Sequence, residues 1–587
     1  MANYKAPGVY VEEISKLPVS VAPVATAIPA FIGYTERRTK KGEALAVNTP
    51  VRITSMLEFE EIFGGAFKEK LSVILSGKDS TEENTNISFA KSARFSPYSL
   101  YYSMVMYFGN GGGPCYVVSV GSYTDQALPN DPTSLIRGAE LKAGLLAVEK
   151  EDEVTLLLVP EAMQLSAVNR KTMNDAMLIQ CNKLQDRFAL MDAAVLGGTA
   201  REDGDGFRAD VGLDYLNYGA CYYPSLRTTL DLHFENRSVE ITDSRTGGIF
   251  TGGKNLENVR MGDNTPLAAT GTITIDDSSK LASDIVTING HTFTEGEGQD
   301  WQAGNTNIQA ATSLLNAITN FNDPAYTAAR ASNVITITAV PGSKGNGIAL
   351  VYTDSGSGVG IALSGSSLTG GSDGIAPDKN LYNAIVREIK KQHEIVLYPS
   401  AALAGVYARV DHERGVWKAP ANVSLRLVKE PSVLVTKEQQ EDLNIDPTSG
   451  KSINVIRKFS GKGCLVWGAR TLAGNDNEWR YVPVRRLFNF VEESVKKATE
   501  FVVFEPNDGK TWLRAKTMIE NFLGKLWRDG ALSGAKAEQA FFVKIGLGET
   551  MTSQDILEGR MNIEIGMAAV RPAEFIILKF SHKLQES

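Results

Sequence analysis

The sequence predicts a multidomain mixed α/β (α+β) fold, with a β-rich domain inserted between two α/β domains and an extended arm at each end. Three observations carry this. Strand-like apolar runs alternate with helical stretches over residues 26–230, and the pattern resumes near 375. Between them, residues 265–371 turn rich in Thr, Ser, Gly, Asn and Ala, with short alternating strands. Each terminus also carries a turn signal followed by one strand-like run with no hairpin partner nearby. The domains are thus read as an arm at 1–25, an α/β domain at 26–264, the insertion at 265–371, a second α/β domain at 372–570 and a closing arm at 571–587.

The opening arm reads Ala6-Pro7-Gly8-Val9-Tyr10-Val11-Glu12-Glu13, and Pro7, Pro18, Pro23 and Pro29 exclude a long helix. In the first α/β domain a helix is expected at 98–108 and another around 172–185. Strands are expected at 115–120, 154–159, 188–191 and 218–223. This alternation favours a mostly parallel sheet covered by helices. The insertion holds strands at 271–275, 285–288 and 333–338, a helix at 307–321, and Asn289-Gly290, a two-residue hairpin turn. It is bounded by Gly370-Gly371-Ser372-Asp373-Gly374, and its place is expected on the outer surface, where inserted backbone is tolerated.

In the second α/β domain, Pro399 suits the first turn of a helix. Residues 484–503 have the clearest helical spacing, through Val484, Leu487, Phe488, Val491, Val495, Ala498 and Val502. Glu492/Lys496 and Glu493/Lys497 offer i,i+4 pairs on that helix. A further helix runs from an Asp508 N-cap to a stop at Gly530, and strands are read at 540–548 and 561–570. The closing arm is Arg571-Pro572-Ala573-Glu574-Phe575-Ile576-Ile577-Leu578-Lys579-Phe580. A lone strand leaves a row of N–H and C=O groups unpaired, so each arm is either tucked into its own domain or given to a neighbour.

Composition narrows the function. A net charge of -8 lacks the basic footprint of a nucleic-acid binder. No apolar run is long enough to span a membrane, and the start does not read as a secretory signal, so the chain is expected to stay in the cytoplasm of the cell that makes it, or to leave by lysis. The four cysteines are far apart and read as reduced core thiols, and the five histidines show no metal-ligand spacing. Gly450-Lys451-Ser452 resembles the end of a phosphate-binding loop, but Ile445 stands where its first glycine belongs. Gly109-Asn110-Gly111-Gly112-Gly113 follows a helix and precedes a strand, the reverse of the order that presents a helix N-terminus to phosphate. No catalytic constellation emerges, and neither an enzyme nor a cofactor is expected. Arg485, Arg486, Lys496 and Lys497 on the 484–503 helix are read either as a solvated face or as a surface meeting an acidic partner.

Several stretches carry a family resemblance: the opening Ala6–Glu13 segment and Ala30-Phe31-Ile32-Gly33, then the 370–374 glycine junction. His412-Glu413-Arg414-Gly415-Val416-Trp417-Lys418-Ala419-Pro420-Ala421-Asn422 and Leu443-Asn444 through Arg457 continue it, followed by Gly468-Ala469-Arg470-Thr471-Leu472 and Trp479-Arg480-Tyr481-Val482-Pro483-Val484-Arg485-Arg486. On these residues the chain resembles the tail sheath proteins of contractile phages and of related phage-tail-like injection systems. The likeness is densest over 375–580, thinner at 1–35 and weak over 36–370. The 450–452 stretch departs from the family pattern.

The resemblance implies two sheath core domains flanking the insertion, and a structural subunit that stacks in rings or a helix around an inner tube and contracts by rigid-body repacking. The implied partners are other copies of the chain, the tube protein, and baseplate and terminator or cap proteins. Inter-subunit strand pairing is then expected at Val9, Tyr10, Val11, Phe575, Ile576, Ile577, Leu578 and Phe580. Arg485, Arg486, Lys496 and Lys497 become the expected tube-facing residues. The alternatives are a baseplate or tail-terminator protein, or a surface-binding protein acting through the insertion.

Overall fold

The computed structural model describes residues 21–77, 85–90, 96–124, 135–245, 254–262, 266–371, 373–374 and 376–577. They divide into two compact units. The first gathers residues up to 67, 94–233 and those from 393 on; the second gathers 68–93 and 234–392.

The first unit is built on a nine-stranded sheet. Its strands are β1 (Pro29–Thr35), β2 (Pro50–Ile53), β3 (Cys115–Ser122), β4 (Leu156–Leu158), β5 (Phe188–Asp192), β6 (Gly219–Tyr223), β7 (Val423–Ser424), β8 (Ile453–Phe459) and β9 (Gly463–Val466), in the order β7-β9-β8-β6-β5-β4-β1-β3-β2. The six from β8 to β3 are parallel, and antiparallel strands flank them on both sides. A parallel sheet is covered on both faces, which is why these strands read as continuous apolar runs. All residues of β1, β4, β5 and β6 are buried.

Successive residues serve opposite faces. Ala30, Ile32 and Tyr34 face one core with helices α2 (Ala167–Leu184) and α3 (Ala200–Ala209), through Met173, Met177, Cys181 and Phe207. Phe31, Leu156 and Leu158 face the other with α1 (Leu100–Gly109) and α4 (Ser400–Arg414), through Met104, Tyr107, Leu403 and Tyr407. The expected alternation is present, and the Gly109–Gly113 stretch is the turn from α1 into β3.

Helices α5 (Val482–Thr499) and α6 (Gly509–Arg528) pack with a two-stranded antiparallel sheet, β10 (Phe541–Lys544) and β11 (Glu564–Met567). Their shared core contains Leu487, Val491, Val495, Met518, Ile519, Phe522 and Val543, with Ile565 and Met567 against it. Asp508 caps α6 by accepting from the backbone N–H groups of Lys510 and Thr511, and Gly530 at φ 86° follows its end.

In the second unit, the strand Val239–Asp243 lies parallel to Leu71–Ser76, which pairs with Asn86–Phe89. Because of that pairing, residues 68–93 and 234–264 group with the following segment, and the stretch 26–264 is divided between the units. Residues 266–371 form a lobe with two antiparallel sheets and the helix Asn307–Phe321 around a core of its own, including Ile273, Val286, Phe293, Trp301, Leu314 and Ile335. Asn289 and Gly290, at φ 52° and 80°, turn Ile285–Ile288 back onto His291–Thr294. The lobe's entry and exit meet where Thr270 and Thr369 exchange backbone hydrogen bonds of 2.8 and 3.0 Å. Among the described residues, no helix is long and apolar enough to cross a membrane.

Candidate functional site

The C-terminal end of the first unit contains a two-stranded sheet and, after it, an exposed apolar segment. One face of β10–β11 is packed on the α5–α6 core. Among the described residues no third strand pairs with β10 or β11, and just past β11 Ala569 bridges Leu532. Two-stranded sheets are marginal alone, and unpaired edges present rows of free N–H and C=O groups. Phe542 on β10 is partly exposed, with Lys544 Nζ 4.9 Å from its ring centre.

Beyond β11 the chain runs without regular structure through 571–577. Phe575, Ile576 and Ile577 are 68%, 79% and 80% exposed. Three successive large apolar residues in that state mean that neither face of the segment is packed against the described residues. Val9, Tyr10, Val11, Leu578 and Phe580, the other residues expected to pair between subunits, lie outside the described residues.

Just before this segment, Glu574 is held tightly. Arg470 Nε donates to its Oε1 at 2.9 Å and Nη2 to its Oε2 at 2.5 Å. Asn444 Nδ2 donates to Oε1 at 2.9 Å, and the Tyr481 hydroxyl to Oε2 at 3.4 Å. Burial pushes the Glu574 carboxyl up, but the hydrogen bonds and charge of Arg470, with the Asn444 and Tyr481 bonds, outweigh it and hold the group below the usual range. The Arg470 side chain is only 4% exposed. Its backbone N–H donates to Asn454 Oδ1 at 2.7 Å, and Asn454 Nδ2 donates to the carbonyls of Arg470 and of Cys221 on β6.

The other end of the described chain is also fastened to α5. Val21 is buried in the α5–α6 core. Val24 N–H donates to Ser494 Oγ at 3.2 Å, and Arg486 Nη2 donates to the Thr26 carbonyl at 2.7 Å.

The four cations expected to face a tube separate into two groups. Arg485 and Arg486 are buried, which corrects their placement on a free surface. Arg486 forms a fork with Asp411 at 3.0 and 2.6 Å and lies 4.7 Å over the Tyr407 ring. Arg485 donates to Asn489 and Glu492 and stacks 4.2 Å over Trp479. The physical reason is that a guanidinium sheds water more readily than an ammonium and can be satisfied by fork and ring contacts inside a core. Lys496 and Lys497 keep 68% and 37% of their side-chain surface exposed, and both reach Glu493 at 3.2 Å. The i,i+4 pair Glu493/Lys497 forms as expected. Glu492 instead serves Arg485, one turn further away than the Lys496 expected for it.

The phosphate-loop lookalike has a different use. Lys451 Nζ is buried, donating to the carbonyls of Arg208 and Val211 at 2.7 and 2.6 Å, and the loop leads into strand β8 rather than a helix. All four cysteines are free and buried. Among the described residues no cluster of His, Cys, Asp or Glu could hold a metal. Arg470, Glu574, Asn444 and Asn454 were not singled out from the sequence. The available signal was a lone cation among small and apolar neighbours at 468–472, and a lone acid within an apolar run at 572–578.

Comparison with known proteins places this architecture. The family model described as the phage tail sheath C-terminal domain matches residues 474–583. The tail sheath protein of Burkholderia phage BcepMu is 30% identical over 143 residues, 24% of this chain and 30% of that protein. That of Enterobacteria phage T4 is 25% identical over 128 residues, 21% of this chain and 18% of its own. The matched stretches thus span less than a third of these two relatives.

Solved structures match over nearly the whole length. A chain of the anti-feeding prophage baseplate, 6-fold symmetrised, shares 27% identity with a TM-score of 0.51, covering 99% of this chain and 100% of that one. The sheath complex of the PVC extracellular contractile injection system in its contracted state shares 26% identity with a TM-score of 0.51, covering 99% of both chains. Residues 474–583 therefore match the phage tail sheath C-terminal domain, and the chain is similar to the tail sheath proteins of contractile phages and to the sheath of a phage-tail-like injection system.

Proposed function

We propose that the chain is a structural subunit that polymerises around an inner tube by exchanging strands with its neighbours, and contracts to drive that tube through a target envelope. One observation carries the reading: a sheet with no third strand among the described residues, β10–β11, stands in the same unit as a largely exposed apolar segment, Phe575–Ile577. Residues 575–580 of one copy, and Val9–Val11 of another, would extend such a sheet on either side. Each added strand contributes several backbone hydrogen bonds, roughly 0.5–1.5 kcal/mol apiece, together with burial of its apolar side chains. Multiplied over the copies of a tube-length assembly, links of that strength hold while rigid bodies rotate.

In this reading the 265–371 lobe is an outward insertion and 372–570 the remainder of the sheath core. The subunit performs no chemistry of its own. Its partners are further copies, a tube protein, and baseplate and terminator proteins, met first in the cytoplasm of the producing cell. Lys496, with Lys497 beside it, is the remaining tube-facing candidate on α5.

The test is negative-stain imaging of the full chain beside a version lacking residues 1–20. Hollow cylinders from the full chain that vanish on truncation support the reading. Monodisperse subunits from both would reject it.

A further inference from the structure

We propose that Arg470 is the positioning residue of the C-terminal arm: it grips Glu574, fixes where the arm leaves the body, and makes Phe575 the first residue that can be donated. The inference rests on the strand-exchange reading above.

The argument begins with burial. Arg470 is nearly inaccessible, and Glu574 is the one carboxylate paired with it among the described residues. Its remaining contacts are neutral: Nη1 approaches the carbonyls of Asn444 and Gly474 at 3.4 and 3.5 Å. An arm that lifted away at Glu574 would leave a buried guanidinium without its counter-charge, and such a state is strongly disfavoured. The grip is also directional. Two nitrogens of the fork meet both carboxylate oxygens, so the side chain of Glu574 is fixed in orientation as well as in position.

The grip leads into the main sheet. Asn454 holds Arg470 through both its backbone N–H and its carbonyl, and holds Cys221 of β6 with the same amide. The grip is thereby connected to the parallel sheet through Asn454, and to the start of α5 through the bridge between Arg470 and Tyr481.

The root of the opening arm is built differently. There Arg486 touches the chain only at the Thr26 carbonyl, and its counter-charge, Asp411, belongs to α4. Releasing Thr26 breaks two neutral-acceptor hydrogen bonds, the second from Thr155 Oγ1 at 3.0 Å, and leaves the ion pair whole. The C-terminal root is thus held by a buried ion pair, whereas the N-terminal root is held by neutral-acceptor hydrogen bonds and the packing of Val21.

The test uses the full chain with Glu574→Ala and Glu574→Gln. Hydrogen–deuterium exchange is followed in peptides covering 568–577 and, as a fold control, 482–499. Assembly is followed by light scattering and imaging. For Glu574→Ala, exchange over 568–577 should rise at least tenfold with the control peptides unchanged. The concentration for half-maximal assembly should rise at least tenfold. Glu574→Gln, which keeps an acceptor oxygen and the side-chain volume, should fall between Ala and the parent, so the question stays open to test if the alanine variant misfolds. Exchange over 568–577 that matches the parent in both variants would overturn the grip. Altered exchange with unchanged assembly would overturn its role in positioning the arm. A parent chain that forms no cylinders would sink the strand-exchange reading, while the exchange data would still decide the grip.

Discussion

Replacing Asp411 by alanine removes the counter-charge of Arg486 inside the first unit. Both side chains are buried, at 5% and 3% exposure, and the carboxylate accepts two hydrogen bonds from one guanidinium. Arg486 would keep only the Thr26 carbonyl and the Tyr407 face. Removing one partner of such a buried pair costs about 3–5 kcal/mol, because the remaining charge is stranded away from water. The exposed pair Arg52–Glu153, at 44% and 53%, is the internal control, and its loss should cost less than about 1 kcal/mol.

Urea unfolding followed by tryptophan fluorescence reads the difference, since Trp417 packs on the α5–α6 core. A loss of about 4 kcal/mol should lower the unfolding midpoint by roughly 1 M, against a barely detectable shift for Glu153→Ala. The double variant Asp411→Leu, Arg486→Met should recover most of the loss, because an apolar pair of similar volume leaves no charge unpaired. Equal midpoints for Asp411→Ala and Glu153→Ala would refute the claim that burial sets the worth of this pair.

Other outcomes follow from the same geometry. Gly474→Ala would place a Cβ 1.7 Å from Ser452 Oγ, which is buried and bonded to the Asn444 carbonyl, so a loss of about 1–3 kcal/mol is expected in the same urea assay. Burial pushes the Asp192 carboxyl up to about 7 against the hydrogen bonds from Ser400, and the Glu161 carboxyl up to about 8 against those from the backbone of Tyr34, Leu100 and Ser99. Raised carboxyls bind protons more tightly folded than unfolded. Their contribution is thus complete below their ordinary values and lost as pH rises through about 7 and 8, so urea midpoints measured from pH 5 to 9 should decline. Glu574 is held low and has the opposite sign: protection of residues 568–577 should be present above the ordinary carboxylate range and fade as pH falls through it. Lys496→Glu should weaken co-assembly with the tube while leaving the subunit folded, since Lys497 still serves Glu493; unchanged co-sedimentation with tubes would remove α5 from the tube interface.

Much of the fold was legible in the sequence because it rests on local rules. Parallel strands buried on both faces require continuous apolar runs, so β3, β4, β5 and β6 could be read directly. Asn289-Gly290 announces its hairpin, and Asp508 its helix, through conformational preferences that need no distant partner. The exposed apolar run at 575–577 was visible in the same way, as a stretch with nothing nearby in sequence to pair with.

Tertiary structure decided what each charge is for. Arg485 and Arg486 begin a helix with cations and read as a surface, yet Asp411, Tyr407 and Thr26, which satisfy Arg486, and Tyr218, which packs on Arg485, come from elements far away in sequence. The pairing of Val239–Asp243 with Leu71–Ser76 likewise divided a stretch that reads as one domain. Arg470 and Glu574 lie 104 positions apart, and nothing local in either sequence context specifies the other. Strand and helix periods are properties of neighbouring residues. Whether a charge lies in water or in a core depends on which distant segments close over it, and that is settled only when the chain has packed.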